Sequence, residues 1–177
     1  YICLIPGPGT ELLINRKEEA EVYRTIQPLH ISEHIIYMNG DTGYKIAEYY
    51  EGARNSRADD WDDVAKCMEL VQRLHNSGLT VAHEFNIRER IAFYEGLCAA
   101  HGGTRFEDYA EVRGHMNELM DQLDAMQRPR VLSHIDSVAD NFLFLPDGSV
   151  RLIDWEYAGM CDPLIDLSMC AIYSYYD

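Results

Sequence analysis

The chain has 177 residues, a length typical of one domain, and an apolar content of 47%, which is sufficient for a hydrophobic core. Its formal net charge of −15 excludes nucleic acid as a favoured partner, because a phosphate backbone would be repelled. Five cysteines without a Cys-x-x-Cys pair indicate free thiols in a reducing compartment. With no apolar run long enough to insert into a membrane, these features predict a soluble, cytoplasmic protein.

The first fifty residues have the pattern of a strand, a helix and two further strands. Apolar residues 1–5 predict the first strand. Asn15 is a helix-capping residue, and the apolar residues that follow it recur at helical spacing: Ala20, Tyr23 and Ile26. Residues 34–38 and 44–49 predict a hairpin, because an Asn-Gly-Asp turn separates them.

Most of the remaining chain has helical periodicity. Asp59 or Asp60 caps a helix that ends before Gly78, and Asn86 opens a second. A third is predicted from about Phe106 to Gln127, with an inward face formed by Tyr109, Val112, Met116, Leu119 and Leu123. An apolar stretch from Leu164 to Tyr176 predicts the beginning of a last helix.

The most informative motif is His134-Ile135-Asp136-Ser137-Val138-Ala139-Asp140-Asn141, which reads H-x-D-x-x-x-x-N. Asp154 follows Asn141 by thirteen residues, and two apolar runs around a Pro-Asp-Gly-Ser turn predict a hairpin between them. Phosphoryl transfer needs a carboxylate that accepts a hydroxyl proton and oxygen ligands that hold Mg²⁺ against phosphates. The spacing predicts a kinase-type site in which Asp136 is the base, Asn141 and Asp154 bind Mg²⁺, and His134 supports the loop.

Two other segments concern the nucleotide. Residues 44–52 end a strand where a kinase places its hinge, which predicts adenine contacts from the backbone of Ala47, Glu48 and Tyr49; an edge strand that simply leaves the sheet is the alternative. The run Pro6-Gly7-Pro8-Gly9 is interpreted as a plain turn rather than a phosphate loop, because proline has no N–H to donate.

The residues that follow Asp154 are candidates for substrate binding. We assign substrate binding to Trp155, Glu156 and Tyr157. Trp155 could instead face the core, and Glu156 could pair with an arginine of the fold. Asp166 is interpreted as a buried structural carboxylate that accepts hydrogen bonds from the catalytic loop.

The chain resembles the choline/ethanolamine kinase family, within the aminoglycoside-phosphotransferase and protein-kinase-like superfold. The resemblance is carried by Pro6-Gly7-x-Gly9-Thr10 with Asn15-Arg16 and Glu19, by Leu74-His75-Asn76-Ser77-Gly78, by the catalytic motif with Phe142, by residues 153–159, and by Asp162-Pro163-x-x-Asp166. It implies an α+β, protein-kinase-like two-lobed fold that lacks the first strands and the last helices. Residues 1–50 would be the remnant of the N-terminal lobe, and residues 51–177 a mainly helical C-terminal lobe.

The same resemblance implies an ATP- and Mg²⁺-dependent kinase acting on the hydroxyl of choline or a related amino alcohol, with Glu19 beside the triphosphate. One departure concerns the strand before Pro6, where the family usually has a basic residue that pairs with this glutamate; the matching residue here is Leu4. Two alternatives stay open: phosphorylation of an aminoglycoside or another hydroxylated metabolite, and a catalytically impaired nucleotide-binding fragment, which Leu4 favours.

Overall fold

The structure, a computed structural model, describes residues 1–103 and 106–176. They form two compact units: residues 1–85 together with the chain from Arg130 onward, and residues Asn86–Pro129. Both predicted lobes contribute to the first unit, and their division near residue 50 remains a prediction. Over the described residues, every helix is too short or too polar to cross a bilayer.

The N-terminal part of the first unit is a three-stranded antiparallel sheet with one helix. The strands lie in the order β1-β3-β2 and comprise β1 (Ile2–Leu4), β2 (Ile35–Met38) and β3 (Lys45–Ala47). Helix α1 (Arg16–Ile26) begins as predicted at Asn15, whose side chain accepts hydrogen bonds from two first-turn N–H groups. The predicted inward face of α1 is buried.

Short strands and two helices complete the first unit. One antiparallel sheet has the order β4-β6-β7, with β4 (Arg54–Asn55), β6 (Phe142–Phe144) and β7 (Val150–Leu152), and a second pairs β5 (Val131–Ser133) with β8 (Gly159–Cys161). The helices are α2 (Trp61–His75) and α5 (Leu164–Tyr173). Strands β4, β5 and β8 were not predicted, because two or three residues are too few for a period of two to show.

The core of this unit lies between α1, α2 and the β6–β7 hairpin. Its fully buried side chains include Val22, Ile26, Ile31, Leu74, Leu132, Leu152 and Trp155. The hairpin that separates Asn141 from Asp154 is therefore part of the hydrophobic core of this unit.

The second unit contains α3 (Ile87–Ala100) and α4 (Tyr109–Ala125), and neither helix has a buried residue. The prediction that one face of α4 points inward is wrong: Val112, Met116, Leu119 and Leu123 are exposed. The two helices contact each other through charged residues on another face, where Arg88 pairs with Asp121 and Asp124. A further difference concerns α5, which ends at Tyr173 rather than continuing to Tyr176.

Candidate active site

The catalytic loop follows β5 and ends where β6 begins. The side-chain amide of Asn141 donates to the Asp136 carboxylate (Oδ2, 3.0 Å) and to the Asp136 carbonyl oxygen (2.8 Å). The predicted base and the predicted amide ligand are therefore neighbours. Because the amide nitrogen faces Asp136, Asn141 Oδ1 is the atom left to bind a cation.

The β6–β7 hairpin brings Asp154 to the same end of the sheet as Asn141. Phe142 is paired with Leu152, and the Ile153 N–H donates to the Asn141 carbonyl oxygen at 2.9 Å. Asp154 has a left-handed backbone (φ 67°), a conformation that costs a non-glycine residue energy and is frequent at functional sites.

Asn141 and Asp154 fit a magnesium ion that is shared with phosphates. The described residues contain no group of three or more His, Cys, Asp or Glu that could hold a metal by themselves. Mg²⁺ at nucleotide sites is typically bound by one or two protein oxygens, with phosphate and water completing its six ligands. The donor set of one carboxylate and one amide oxygen suits that arrangement.

Asp166 makes hydrogen bonds to the first residues of the catalytic loop. Its buried carboxylate accepts the N–H groups of His134 (3.0 Å) and Ile135 (2.7 Å), and its carbonyl oxygen accepts the Ser137 hydroxyl. Ile135 has φ 75°, which is strained for a β-branched side chain. These hydrogen bonds fix the strained backbone just before Asp136, which is the supporting position expected of Asp166.

His75 is a partner of this network to which the sequence gave no role. It is the last residue of α2, and its Nε2 lies 2.8 Å from Asp166 Oδ2. The only sequence signal was its place in the Leu74–Gly78 helix end, since nothing local indicates contact with a residue 91 positions away.

His134 is placed as a supporting residue. It is fully buried, its Nε2 lies 2.9 Å from the Ile153 carbonyl oxygen, and its ring packs edge-on against Trp155 at 4.6 Å. Burial lowers the pKa of His134 below its ordinary value, which keeps the ring neutral. The neutral ring bridges the loop to Ile153, the residue after β7, which is consistent with the predicted supporting role.

The structure corrects the assignment of Trp155 to substrate binding. The ring has no exposed surface, and its Nε1–H donates to the Leu152 carbonyl oxygen at 2.7 Å. Of the two possibilities left open by the sequence, the core is the one observed. An aromatic residue after a strand fills the core when the turn directs it inward, and the alternation of residues does not reveal that direction.

Glu156 pairs with an arginine of the fold, which was the alternative to binding a cation. Its Oε2 lies 3.1 Å from an Arg16 terminal nitrogen. Partial burial and the nearby Asp154 carboxylate raise the pKa of Glu156, and Arg16 opposes that shift. The neighbouring Tyr157 is half-buried and meets the Phe85 ring edge-on at 6.4 Å. Direct substrate contacts of these side chains remain predictions.

A chain of buried and partly buried charges runs from Glu156 into the N-terminal sheet. Arg16 also pairs with Glu19 (2.7 Å), whose other oxygen lies 3.2 Å from Lys45 Nζ. The ammonium of Lys45 additionally contacts the Tyr23 hydroxyl and Glu33. Lys45 was missed in the sequence because a single lysine in a short strand is ordinarily exposed.

Burial shifts the pKa values of Glu33 and Tyr23, which contact Lys45 at the end of this chain of charges. It raises the pKa of Glu33, against the pull of Lys45, and it raises the pKa of Tyr23 well above its ordinary value, with Glu33 adding to the shift. Such shifts cluster at functional sites, although structural ion pairs also produce them.

The predicted hinge residues are the last residue of β3 and the two that follow it. Ala47 is buried at the end of the strand, whereas Glu48 and Tyr49 are exposed. The Glu48 N–H donates to the His34 carbonyl oxygen at 2.9 Å, so this donor belongs to the sheet. Adenine contacts from the remaining backbone groups remain a prediction.

Solved structures with the same fold include choline kinases. Choline kinase LicA from Streptococcus pneumoniae has a TM-score of 0.89 and 30% identity, over 99% of this chain and 62% of that chain. A structure of LicA in complex with AMP has a TM-score of 0.88. A choline/ethanolamine kinase family protein from Mesorhizobium loti has a TM-score of 0.82 and 26% identity, over 99% and 58%. An aminoglycoside-3′-phosphotransferase of type VIII, at 19% identity over 97% of this chain and 67% of that chain, with a TM-score of 0.58, shares the fold alone.

The sequence relatives agree with the structural ones. Protein LicA from Haemophilus influenzae is 26% identical over 180 residues, which cover 95% of this chain and 50% of the relative, so the chain spans about half the length of that protein. Residues 12–177 match the phosphotransferase enzyme family, APH. With this match over most of its length and its kinase-like α+β fold, the chain belongs to the APH phosphotransferase enzyme family.

Proposed function

We propose that this protein is an ATP- and Mg²⁺-dependent kinase that phosphorylates the hydroxyl of choline or a related amino alcohol. The observation that carries the proposal is the convergence of Asp136, Asn141 and Asp154 at one end of the β6–β7 hairpin. The resemblance to LicA, one structure of which is named choline kinase and another of which holds AMP, supports the substrate and the nucleotide.

In this proposal the Asp136 carboxylate accepts the proton of the substrate hydroxyl as that oxygen attacks the γ-phosphorus. The bond from the γ-phosphorus to the oxygen that bridges it to the β-phosphate breaks, and ADP leaves. Asn141 donates to Oδ2 of Asp136, which leaves Oδ1 to receive the proton. Asp154 and Asn141 would hold Mg²⁺, whose charge stabilises the phosphate oxygens during transfer. Asp166 and His134 keep the loop in the conformation that this transfer requires.

The charge of the site favours a cationic alcohol. Carboxylates outnumber the two cations Arg16 and Lys45 among the proposed catalytic residues and the chain of charges, where they are Glu19, Glu33, Asp136, Asp154 and Glu156. An excess of negative charge attracts an ammonium group, and the face of an aromatic ring such as Tyr157 would bind it. Residues 1–50 and 51–177 would form the two lobes, in a cytoplasmic enzyme.

A panel of four acceptors tests the substrate. We expect kcat/KM to be highest for choline or ethanolamine, and lower for 3,3-dimethylbutan-1-ol, which has the shape of choline without its charge. Equal values for charged and neutral alcohols would contradict the electrostatic argument. Turnover of kanamycin alone would establish the aminoglycoside alternative and retain the kinase chemistry.

Measuring ATP binding and turnover on the same protein distinguishes an active kinase from a catalytically impaired fragment. We expect ATP to bind in the presence of Mg²⁺ and to be consumed only when an alcohol is added. ATP binding without turnover on any alcohol would establish the impaired alternative.

A further inference from the structure

Lys45 is a buried cation that the proposed chemistry does not yet use. Its side chain is 7% exposed, and its ammonium group lies within reach of three oxygens: Tyr23 hydroxyl (2.8 Å), Glu19 Oε1 (3.2 Å) and Glu33 Oε1 (3.5 Å). An ammonium group has three donors, so these partners account for all of them. The lysine is therefore committed to the protein and holds two buried carboxylates in place.

The register of the sheet relates Lys45 to Leu4. The two residues are directly opposite in the antiparallel β1–β3 pair. Opposite residues of an antiparallel pair project from the same face of the sheet, with Cβ atoms about 5 Å apart. The Leu4 side chain therefore shares the face from which Lys45 reaches Glu19, and β1 supplies an aliphatic group there.

Stability alone is a weak reason to bury this cation. Replacing a buried ion pair by apolar residues of similar volume is often neutral or stabilising, because removing charges from water is costly. The network has a different use: Glu19 bridges Lys45 to Arg16, and Arg16 reaches Glu156, two residues beyond Asp154. A continuous line of ion pairs thus connects β3 to the segment that carries the predicted magnesium ligand.

We infer that Lys45 is a positioning residue for phosphoryl transfer: from β3 it holds Glu19, and through Glu19 and Arg16 it keeps Glu156 and the Asp154 loop in register. Lys45 takes the place that a basic residue at position 4 would occupy. The inference rests on the proposed function, and it removes the main argument for an impaired fragment, since the cation that Leu4 does not provide comes from the neighbouring strand.

Three variants of the purified protein test this. We expect Lys45→Met to raise the KM for MgATP and the Kd for ATP about 10–100-fold, the range found when partners that orient a metal site are removed. Lys45→Arg keeps the charge and should retain most of the affinity. The double variant Leu4→Lys/Lys45→Met places the ammonium on the same face and should recover at least about tenfold of the loss.

Lys17→Met is the matched control, because Lys17 lies on α1 in an exposed ion pair with Asp41. Its kinetic constants should stay within about twofold of the original protein. If Lys45→Met is folded and binds ATP as the original protein does, the inference is overturned. If Lys45→Met fails to fold, the double variant decides. A folded double variant whose ATP affinity is still about 10–100-fold weaker than that of the original protein also overturns the inference.

The ATP-binding measurement separates this inference from the proposed function. Absence of turnover by the original protein on every alcohol would reject the kinase proposal, whereas the comparison of ATP affinities among the variants would still report on Lys45.

Discussion

Helices α2 and α4 both repeat apolar residues at intervals of three and four, yet their environments differ. In α2, Cys67, Leu70, Val71 and Leu74 are buried against α1 and the β6–β7 hairpin. In α4, Val112, Leu119 and Leu123 are at least half exposed. The pattern identifies which face of a helix is apolar, but only the surrounding elements determine whether that face is covered.

Polar residues show the same contrast. In the first unit, Asp166, His134 and Glu19 are buried, and each is held by hydrogen bonds that leave little freedom. In the second unit, the ion pairs of Arg88 with Asp121 and Asp124 are solvent-exposed. Substitutions in the first unit should therefore cost far more than similar substitutions in the second.

The largest effect is expected at the catalytic loop. Asp136→Asn removes the proton acceptor and should lower kcat about 10²–10⁴-fold, while the Kd for ATP changes little. Steady-state rates and calorimetric ATP titration measure the two quantities. Turnover within about twofold of the original protein would reject Asp136 as the base.

The next largest effect is a loss of stability that differs between α2 and α4. Leu74→Ala opens a cavity in the core and should lower the free energy of unfolding by about 2–5 kcal/mol. Leu119→Ala, the same change on the exposed face of α4, should cost no more than about 0.5 kcal/mol. Urea unfolding of both variants makes the comparison, and equal losses would show that the face of α4 is covered in solution.

Asp154→Ala tests the magnesium site. Loss of an oxygen ligand should raise the Mg²⁺ concentration needed for half-maximal rate about 10–100-fold, and Mn²⁺ should restore part of the rate. The rate is measured across a titration of each metal. An unchanged Mg²⁺ dependence would mean that Asp154 is not a ligand.

The smallest expected effect is a pH-dependent loss of unfolding free energy, which should differ between two ion pairs. Arg54 hydrogen-bonds Asp63 and lowers the pKa of that carboxyl from 3.8 to about 2. A lowered pKa stabilises the fold above the ordinary pKa, and this stability disappears as the pH falls through the folded value. Asp63→Asn should therefore cost about 1–2 kcal/mol at pH 7, after allowance for the exposed arginine, and progressively less from pH 4 to pH 2.

Asp124→Asn is the control, because its carboxylate is exposed and its pair with Arg88 should contribute less than about 1 kcal/mol. Unfolding free energies of the three proteins, measured between pH 7 and pH 2, give the comparison. A constant difference between Asp63→Asn and the original protein over this range would contradict the role of the carboxylate charge.

The sequence by itself determined the elements that depend on local physics. Asn15 and Asn86 cap helices because their side chains accept nearby N–H groups, and of the two candidates Asp59 and Asp60 the structure shows Asp60 in the same role. A Pro-Asp-Gly-Ser turn between apolar runs forms the β6–β7 hairpin. The spacing of the motif also predicted that Asn141 and Asp154 lie close together, because a hairpin of fixed length brings its two ends together.

Tertiary structure decided what lies far apart along the chain. The contact of His75 with Asp166, the core position of Trp155, and the pairing of Lys45 and Arg16 with Glu19 follow from how strands and helices pack. The exposed face of α4 belongs to the same class. Burial is a property of the neighbours of a residue, and periodicity along a single element carries no information about those neighbours.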